Sequence, residues 1–228
     1  MPGKSRSIKI TDQKGQKPWL RKPRPHAYAV NSRTKNKTFL IVCEGQTEEQ
    51  YFKSFPVLTA TIQAVQTGSS NMALVDAAER YRRKGSYDEV WCVFDYDADP
   101  KIESQGEDFN RAILKARDKG YHCAYSNDAF ELWFVLHYQY LDQQQHRQFF
   151  YQVLSSHWSI NYSREGKSIA FSKTIYRLLS SDSKSSQTAA IANARRLLAL
   201  HEGKPCHLQN PVTTVYQLVE QLNEHCRK

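Results

Sequence analysis

The sequence predicts an α/β fold, with a central parallel sheet flanked by helices and a helical C-terminal extension. Three observations carry this. Phe39-Leu-Ile-Val-Cys43 and Val90-Trp-Cys-Val-Phe94 are unbroken apolar runs of strand length, the mark of strands covered on both faces. Segments with apolar residues at helical spacing alternate with such runs, as crossover helices do. Beyond Leu141 the strand-like runs stop and only helical patterns continue.

Taken in order, Phe39–Cys43 is the first strand, closed by Glu44-Gly45, with the glycine read as serving the turn. Thr47 is the expected N-cap of a helix to about Leu58, with Gln50 three positions on as in a capping box, and Pro56 ends or kinks it. Ile62–Gln66 alternates as a short second strand, and Asn71 is the expected cap of a helix from Met72 to about Lys84. Asp88–Asp95 is a third strand that ends in acid. A helix from about Glu107 to Lys119 stops at Gly120, Tyr121–Tyr125 is a fourth strand, and Asn127 or Asp128 caps Phe130–Tyr138. Helices are expected at about 144–156, 170–181, 186–201 and 212–225. The divisions are therefore a basic arm over 1–36, an α/β core over 37–140 and a helical extension over 141–228 packed on the core.

Composition narrows the function classes. Hydrophobic residues make up 40% of 228, enough for a sizeable core. Five cysteines form no CxxC pair, and three sit in apolar runs where a thiol acts as a small hydrophobe. That usage fits a reducing, cytoplasmic setting. No run approaches the ~18 apolar residues of a membrane span, and the polar N-terminus lacks the apolar core of a secretory signal. Of the net +9, the basic excess lies in residues 1–37, which hold 11 Lys/Arg and one acid. With Pro18, Pro23 and Pro25 this segment reads as an extended arm. Lys22 and Arg24 are its candidates for nucleic-acid phosphate, set against a solvated tail packed through Trp19.

The chemistry concentrates where strands end. Glu44 follows the first strand, and Asp95-Tyr-Asp97-Ala-Asp99 crowds acids after the third. Carboxylates that close repel one another unless a cation sits among them, and an all-oxygen set favours Mg²⁺ or Mn²⁺ over zinc. An EF-hand would need Gly and Glu where Pro100 and Gly106 stand. A dehalogenase-type Asp-x-Asp would lie nearer the start of the fold, with Thr or Val where Asp99 stands. The remaining arrangement sets Glu44 from one strand end beside the Asp pair of another. The histidines show no HxH or HExxH spacing, and His137, after Trp-Phe-Val-Leu, reads as a packed core residue.

Glu44-Gly-x-Thr-Glu48 after one strand and Asp95-x-Asp97 after another resemble the Toprim domain of topoisomerases, primases and OLD-type nucleases. The sequence is more similar still to the RloB family, Toprim-like proteins linked to bacterial defence. The matching pieces are Ile41–Tyr51, Val90–Asp97, Ala124–His137 and Asn210–Val215, and together they span about 38 to 220. One departure lies near Asp128, where the family usually carries proline or a similar residue. The resemblance implies a Toprim-like sheet and a metal-dependent nuclease acting on RNA or DNA in phage defence beside an AAA- or ABC-type ATPase. It implies Glu44 as metal ligand or acid/base, Asp95 and Asp97 as holders of Mg²⁺ (or Mn²⁺), and Glu48 as ligand of a second ion.

Other residues are weighed around that site. Glu131, in an apolar helix, needs a partner or a metal because an unpaired buried carboxylate costs several kcal/mol. It is a candidate catalytic residue, with a structural ion pair as its rival. A nuclease also wants a cation against transition-state charge. Lys173 and Lys167 are the candidates, and spacing does not choose between them; Lys167 is also read as a nucleic-acid contact. Ser126 and Asn127 are either phosphate contacts or helix caps. The rival function is a non-catalytic subunit that binds nucleic acid or an ATPase with a vestigial site.

Overall fold

The structure, a computed structural model, describes residues 36–97 and 104–226. The arm residues Lys22 and Arg24, and Asp99, lie outside the described residues. Five strands form one sheet: β1 (Lys37–Cys43), β2 (Ala60–Gln66), β3 (Glu89–Asp95), β4 (His122–Asn127) and β5 (Val212–Thr213), in the order β2-β1-β3-β4-β5. The first four are parallel, joined by α1 (Gln46–Lys53), α2 (Asn71–Lys84) and α3 (Gln105–Asp118). The fold class is as the apolar runs predict: Phe39 through Cys43 and Val90 through Phe94 are buried residue by residue.

Several boundaries differ for local reasons. Gly45, not Thr47, caps α1, and Thr47 is buried inside the helix. Gln50 bonds its neighbour Glu49 instead of reaching back to the cap. The helix stops at Lys53, ahead of Pro56. Ser70 takes the cap expected of Asn71. The helix expected over 170–181 is two, α6 (Ile169–Ser172) and α7 (Ile175–Ser181). At the break the Thr174 hydroxyl donates to the Phe171 carbonyl at 2.7 Å, a side-chain bond that competes with the helical one.

The C-terminal part is not purely helical, and this corrects the expectation. After α4 (Glu131–Val135), α5 (Arg147–Trp158), a π-helical turn (Tyr162–Gly166), α6, α7 and α8 (Gln187–Leu200), the chain returns to the sheet. There β5 pairs antiparallel with β4, Thr213 opposite Ser126, before α9 (Val215–Asn223). Thr214 fastens the junction, accepting from the Tyr125 amide at 2.8 Å and donating its own amide to the Tyr125 carbonyl at 2.8 Å.

One aromatic cluster locks α1 against α4. Tyr51 meets Phe134 edge-on at 5.4 Å between centroids, Phe130 meets Phe134 at 5.2 Å, and Trp133 Nε1 donates to the Tyr51 hydroxyl at 2.9 Å. This packing fixes where Glu48, on α1, and Glu131, on α4, can stand.

His137, just past α4, is 3% exposed, a packed core residue as the sequence suggested. Its Nδ1 lies 2.9 Å from the Trp133 carbonyl, which can only accept, so Nδ1 carries the hydrogen. Burial pulls its pKa down to about 4. The unfolded value is near 6.5. The folded state therefore disfavours protonation, and the neutral ring's contribution is full above about pH 6.5 and is lost as pH falls towards 4. His137→Gln is expected to flatten this acid limb, worth on the order of 2–3 kcal/mol at pH 4.5. Urea melts of both proteins at pH 7.5 and 4.5 check it, and equal acid losses would refute the assignment.

Candidate metal centre at the sheet edge

Strand register brings the first acids together. β1 and β3 are parallel neighbours with Cys43 opposite Val93, so Glu44, next after Cys43, and Asp95, at the end of β3, leave by the same edge. In the order β2-β1-β3-β4 the crossovers diverge at the β1/β3 boundary, the switch point where open α/β sheets bind ligands. The first turn of α1 then returns Glu48 to that edge. Gly45 has ordinary extended backbone (φ −112°, ψ 174°), so the turn itself does not require glycine, contrary to the sequence reading. Space does: a Cβ at position 45 would stand 2.7 Å from Glu48 Oε2.

The three carboxylates are buried with oxygens unspent. Glu44 Oε2, Glu48 Oε2 and Asp95 Oδ1 are shielded from solvent, and none has a hydrogen-bond partner among the described residues. Glu44 and Asp95 as whole residues are only half-buried, so each presents a shielded oxygen on a partly open side chain. Burial raises the Glu44 pKa, against the Asp95 backbone amide and the Arg147 charge, which both lower it. Burial pushes Glu48 up to about 7; its own backbone amide lowers it, Glu131 and Glu44 raise it, and Lys167 opposes them. Asp95 is held well above the usual carboxylate range, first by burial and then by the charges of Glu48, Glu131 and Glu44.

Glu131, 1% exposed, has found its partners. It accepts from the Tyr162 hydroxyl at 3.0 Å and forms an ion pair with Lys167. The ion pair weighed as the rival to a catalytic role is thus present, at the rim of the acid cluster. Burial pulls the Lys167 ammonium down, but the Glu131 charge more than offsets this, leaving it above the ordinary lysine range. Two devices hold Lys167 there. The Gln46 carboxamide donates to the Lys167 carbonyl, tying it to the start of α1. The preceding turn closes because Gly166 lies flat against the Tyr162 ring, where a Cβ would collide. Lys173, by contrast, is an exposed residue at the C-cap of α6, with no bond to any acid among the described residues.

Asp97 does not join the cluster. It is exposed and paired with Arg147, which also approaches Asp128 at 3.6 Å. Among the described residues no three His, Cys, Asp or Glu side chains close on one ligating point. The edge offers three oxygens for a hard cation rather than a finished cage. Ser126 and Asn127 are fully buried, which corrects both readings of them. Ser126 Oγ bonds Thr213 Oγ1 at 2.9 Å, Asn127 Nδ2 donates to the His207 carbonyl at 2.9 Å, and no side chain caps α4.

A sequence profile described as RloB-like protein matches residues 39–222, from β1 into α9. The chain belongs to the RloB-like family. Among curated proteins nothing matches. One solved structure, the C-terminal catalytic domain of Streptococcus pneumoniae peptidoglycan O-acetyltransferase A carrying a methylsulfonyl adduct, is 12% identical. The match covers 68% of this chain and 94% of that one at a TM-score of 0.29, too loose a superposition to carry any argument.

This RloB-like chain has functional candidates that the sequence reading passed over. Arg147 is the main one, close enough to lower the Glu44 pKa. It opens α5, where the helix dipole disfavours a cation, and a basic residue in that place signals an acidic partner. Tyr162 and Tyr151 frame the lysine, whose ammonium lies 5.1 Å from the Tyr151 ring centre. Among the described residues no helix is long and apolar enough to cross a membrane.

The Glu131–Lys167 pair can be tested apart from any activity. Lys167→Met leaves a buried carboxylate with only the Tyr162 hydroxyl. The Lys167 side chain is 41% exposed, so solvent screens part of the pair. A loss of about 2 kcal/mol is expected, below the 3–5 of a fully buried pair. Adding Glu131→Gln should restore most of it. A double-mutant cycle by urea denaturation measures this, and additive losses would show that the pair is not coupled.

Proposed function

We propose that this RloB-like protein is a Mg²⁺- or Mn²⁺-dependent nuclease that hydrolyses phosphodiester bonds of RNA or DNA. The observation that carries the reading is the set of three shielded, unpartnered carboxylate oxygens of Glu44, Glu48 and Asp95 at the switch point of the sheet. Such a set is costly unless protonated or met by a cation. Its all-oxygen chemistry suits a hard divalent ion. A divalent ion there would supply Lewis-acid polarisation of a phosphodiester oxygen. Glu44, Glu48 and Asp95 would hold it. Lys167, anchored at the rim through Glu131 and Gln46, stands where a positive charge can offset the negative charge of the transition state. Arg147, once released by Asp97, is a bidentate donor suited to a substrate phosphate. A role in phage defence with an ATPase partner belongs to the same proposal and is supported by the resemblance alone.

A second reading, a binding subunit with a vestigial site, is favoured by one observation: Asp97 is spent on Arg147 and no three-ligand cage forms among the described residues. Metal binding and cleavage, measured separately, tell the two readings apart. Mn²⁺ or Mg²⁺ is expected to raise the melting temperature of the full chain, by mass action on a site made only in the folded state. It should also support cleavage of total tRNA or single-stranded DNA. Glu44→Gln and Asp95→Asn should each lose the thermal shift and lower cleavage about 10²-fold or more. Lys167→Met should lower cleavage about 10²-fold with the thermal shift retained, and Lys173→Ala should change neither. Cleavage that survives in Glu44→Gln and Asp95→Asn would refute the assignment. Metal binding without cleavage would favour the binding subunit.

A further inference from the structure

α5 and the turn after it flank an open groove of about 440 Å³, within the range of small-molecule sites. It shares Tyr151 with the acid site, since the same residue sits under the Lys167 ammonium. Its lining includes Gln148, Gln152, Asn161 and Ser163, with Tyr151 and Ile160 as the apolar wall. Two features of this lining identify what it can hold.

The first is charge. Among the described residues no lysine, arginine, aspartate or glutamate lines the groove, although Arg147 precedes Gln148 in the chain and the Lys167 ammonium lies over the ring of Tyr151. A surface built to track phosphates would carry the cations along its length. Here they stop at the acid cluster, and the lining beyond it is neutral and polar. The second is unspent hydrogen bonding. The side chains of Gln148, Gln152 and Ser163 have no bond to any described residue. Asn161 Oδ1 accepts from the Arg164 amide at 3.3 Å, which leaves its NH₂ donor free. The Ser155 hydroxyl, by contrast, is committed within the protein, to the Tyr151 carbonyl at 2.6 Å and the Tyr162 amide at 3.0 Å. Gln148 and Gln152 lie one helical turn apart, about 6 Å along the axis. Each presents a donor and an acceptor on one planar group, the pattern that pairs with a base edge.

We propose that this groove is the subsite for an unpaired nucleobase flanking the scissile phosphodiester, read by Gln148 and Gln152. The inference rests on the nuclease reading and narrows its substrate to single-stranded or looped nucleic acid. Base edges are already paired in a duplex, and a base must leave the stack to enter such a groove.

The test uses the full chain with Mn²⁺ and three substrates: a single-stranded oligonucleotide, the same sequence as duplex, and bis(p-nitrophenyl) phosphate, a diester with no base. The variant is Gln148→Ala/Gln152→Ala, two exposed positions whose loss leaves the core intact. The expected result is a rise in KM of about 10-fold for the single strand, with kcat and the hydrolysis of the small diester unchanged. Wild-type protein should cleave the duplex more slowly than the single strand. An unchanged KM, equal cleavage of duplex and single strand, or a parallel fall with the small diester would each overturn the base subsite. If wild-type protein hydrolyses none of the three substrates, the nuclease reading itself fails, and the inference with it. That outcome is distinct from a groove variant that behaves as wild type on an active enzyme.

Discussion

The arrangement at the sheet edge depends on β1 and β3 lying side by side in parallel, with Cys43 facing Val93. A parallel pair sends both strand ends to one edge, and the diverging crossovers open that edge as a crevice. Glu44 and Asp95 occupy those ends because the apolar runs stop there. Glu48 joins them because α1 begins at once. The sheet thus forces like charges together in a shielded place, and the surrounding structure has to tolerate them. Much of the local architecture serves that end: the aromatic lock of Tyr51, Phe134 and Trp133 holds α1 and α4 at a fixed separation.

Two groups of acids are treated differently. Glu131 is paired with a lysine and a tyrosine hydroxyl. Glu44, Glu48 and Asp95 are not, and their carboxyl groups are held towards protonation by burial, with neighbouring acids adding to it at Glu48 and Asp95. A fold selected for stability alone would have spent those oxygens, since unpaired buried carboxylates are costly. The cost is concentrated where a ligand would relieve it. Arg147 adds a second device. By holding Asp97 it keeps one acid out of the cluster, and it sits within electrostatic reach of Glu44.

How much the sequence reveals depends on how local each signal is. β1 and β3 announce themselves as runs of apolar residues and β2 as a short alternation, and Glu44 and Asp95 could be named because each stands at a strand end, whereas Glu48 came with the family resemblance. β5 could not be seen: two residues, Val212 and Thr213, carry no periodicity, and only the waiting edge of β4 makes them a strand. Which of Lys167 and Lys173 meets a buried acid was equally hidden. It is set by a π-helical turn, a glycine pressed on a tyrosine ring and a carboxamide reaching from α1, all of them tertiary. Ser126 and Asn127 stand in strand-end positions that look exposed in sequence, but β5 and the segment before it bury them. Arg147 gave one local sign, a cation in the first turn of a helix.

The late return of the chain to the sheet also bears on the order of assembly. Residues 212–214 cover β4 at Tyr125–Asn127, and further on the His225 carbonyl accepts from the Leu58 amide at 2.7 Å, beside the entry to β2. The β4 edge of the sheet and the approach to β2 are therefore finished by a segment made long after those strands. On the ribosome, β4 waits with its outer polar groups unpaired while some eighty residues follow it. Completion of the sheet is thereby deferred until nearly all of the described chain has been synthesised.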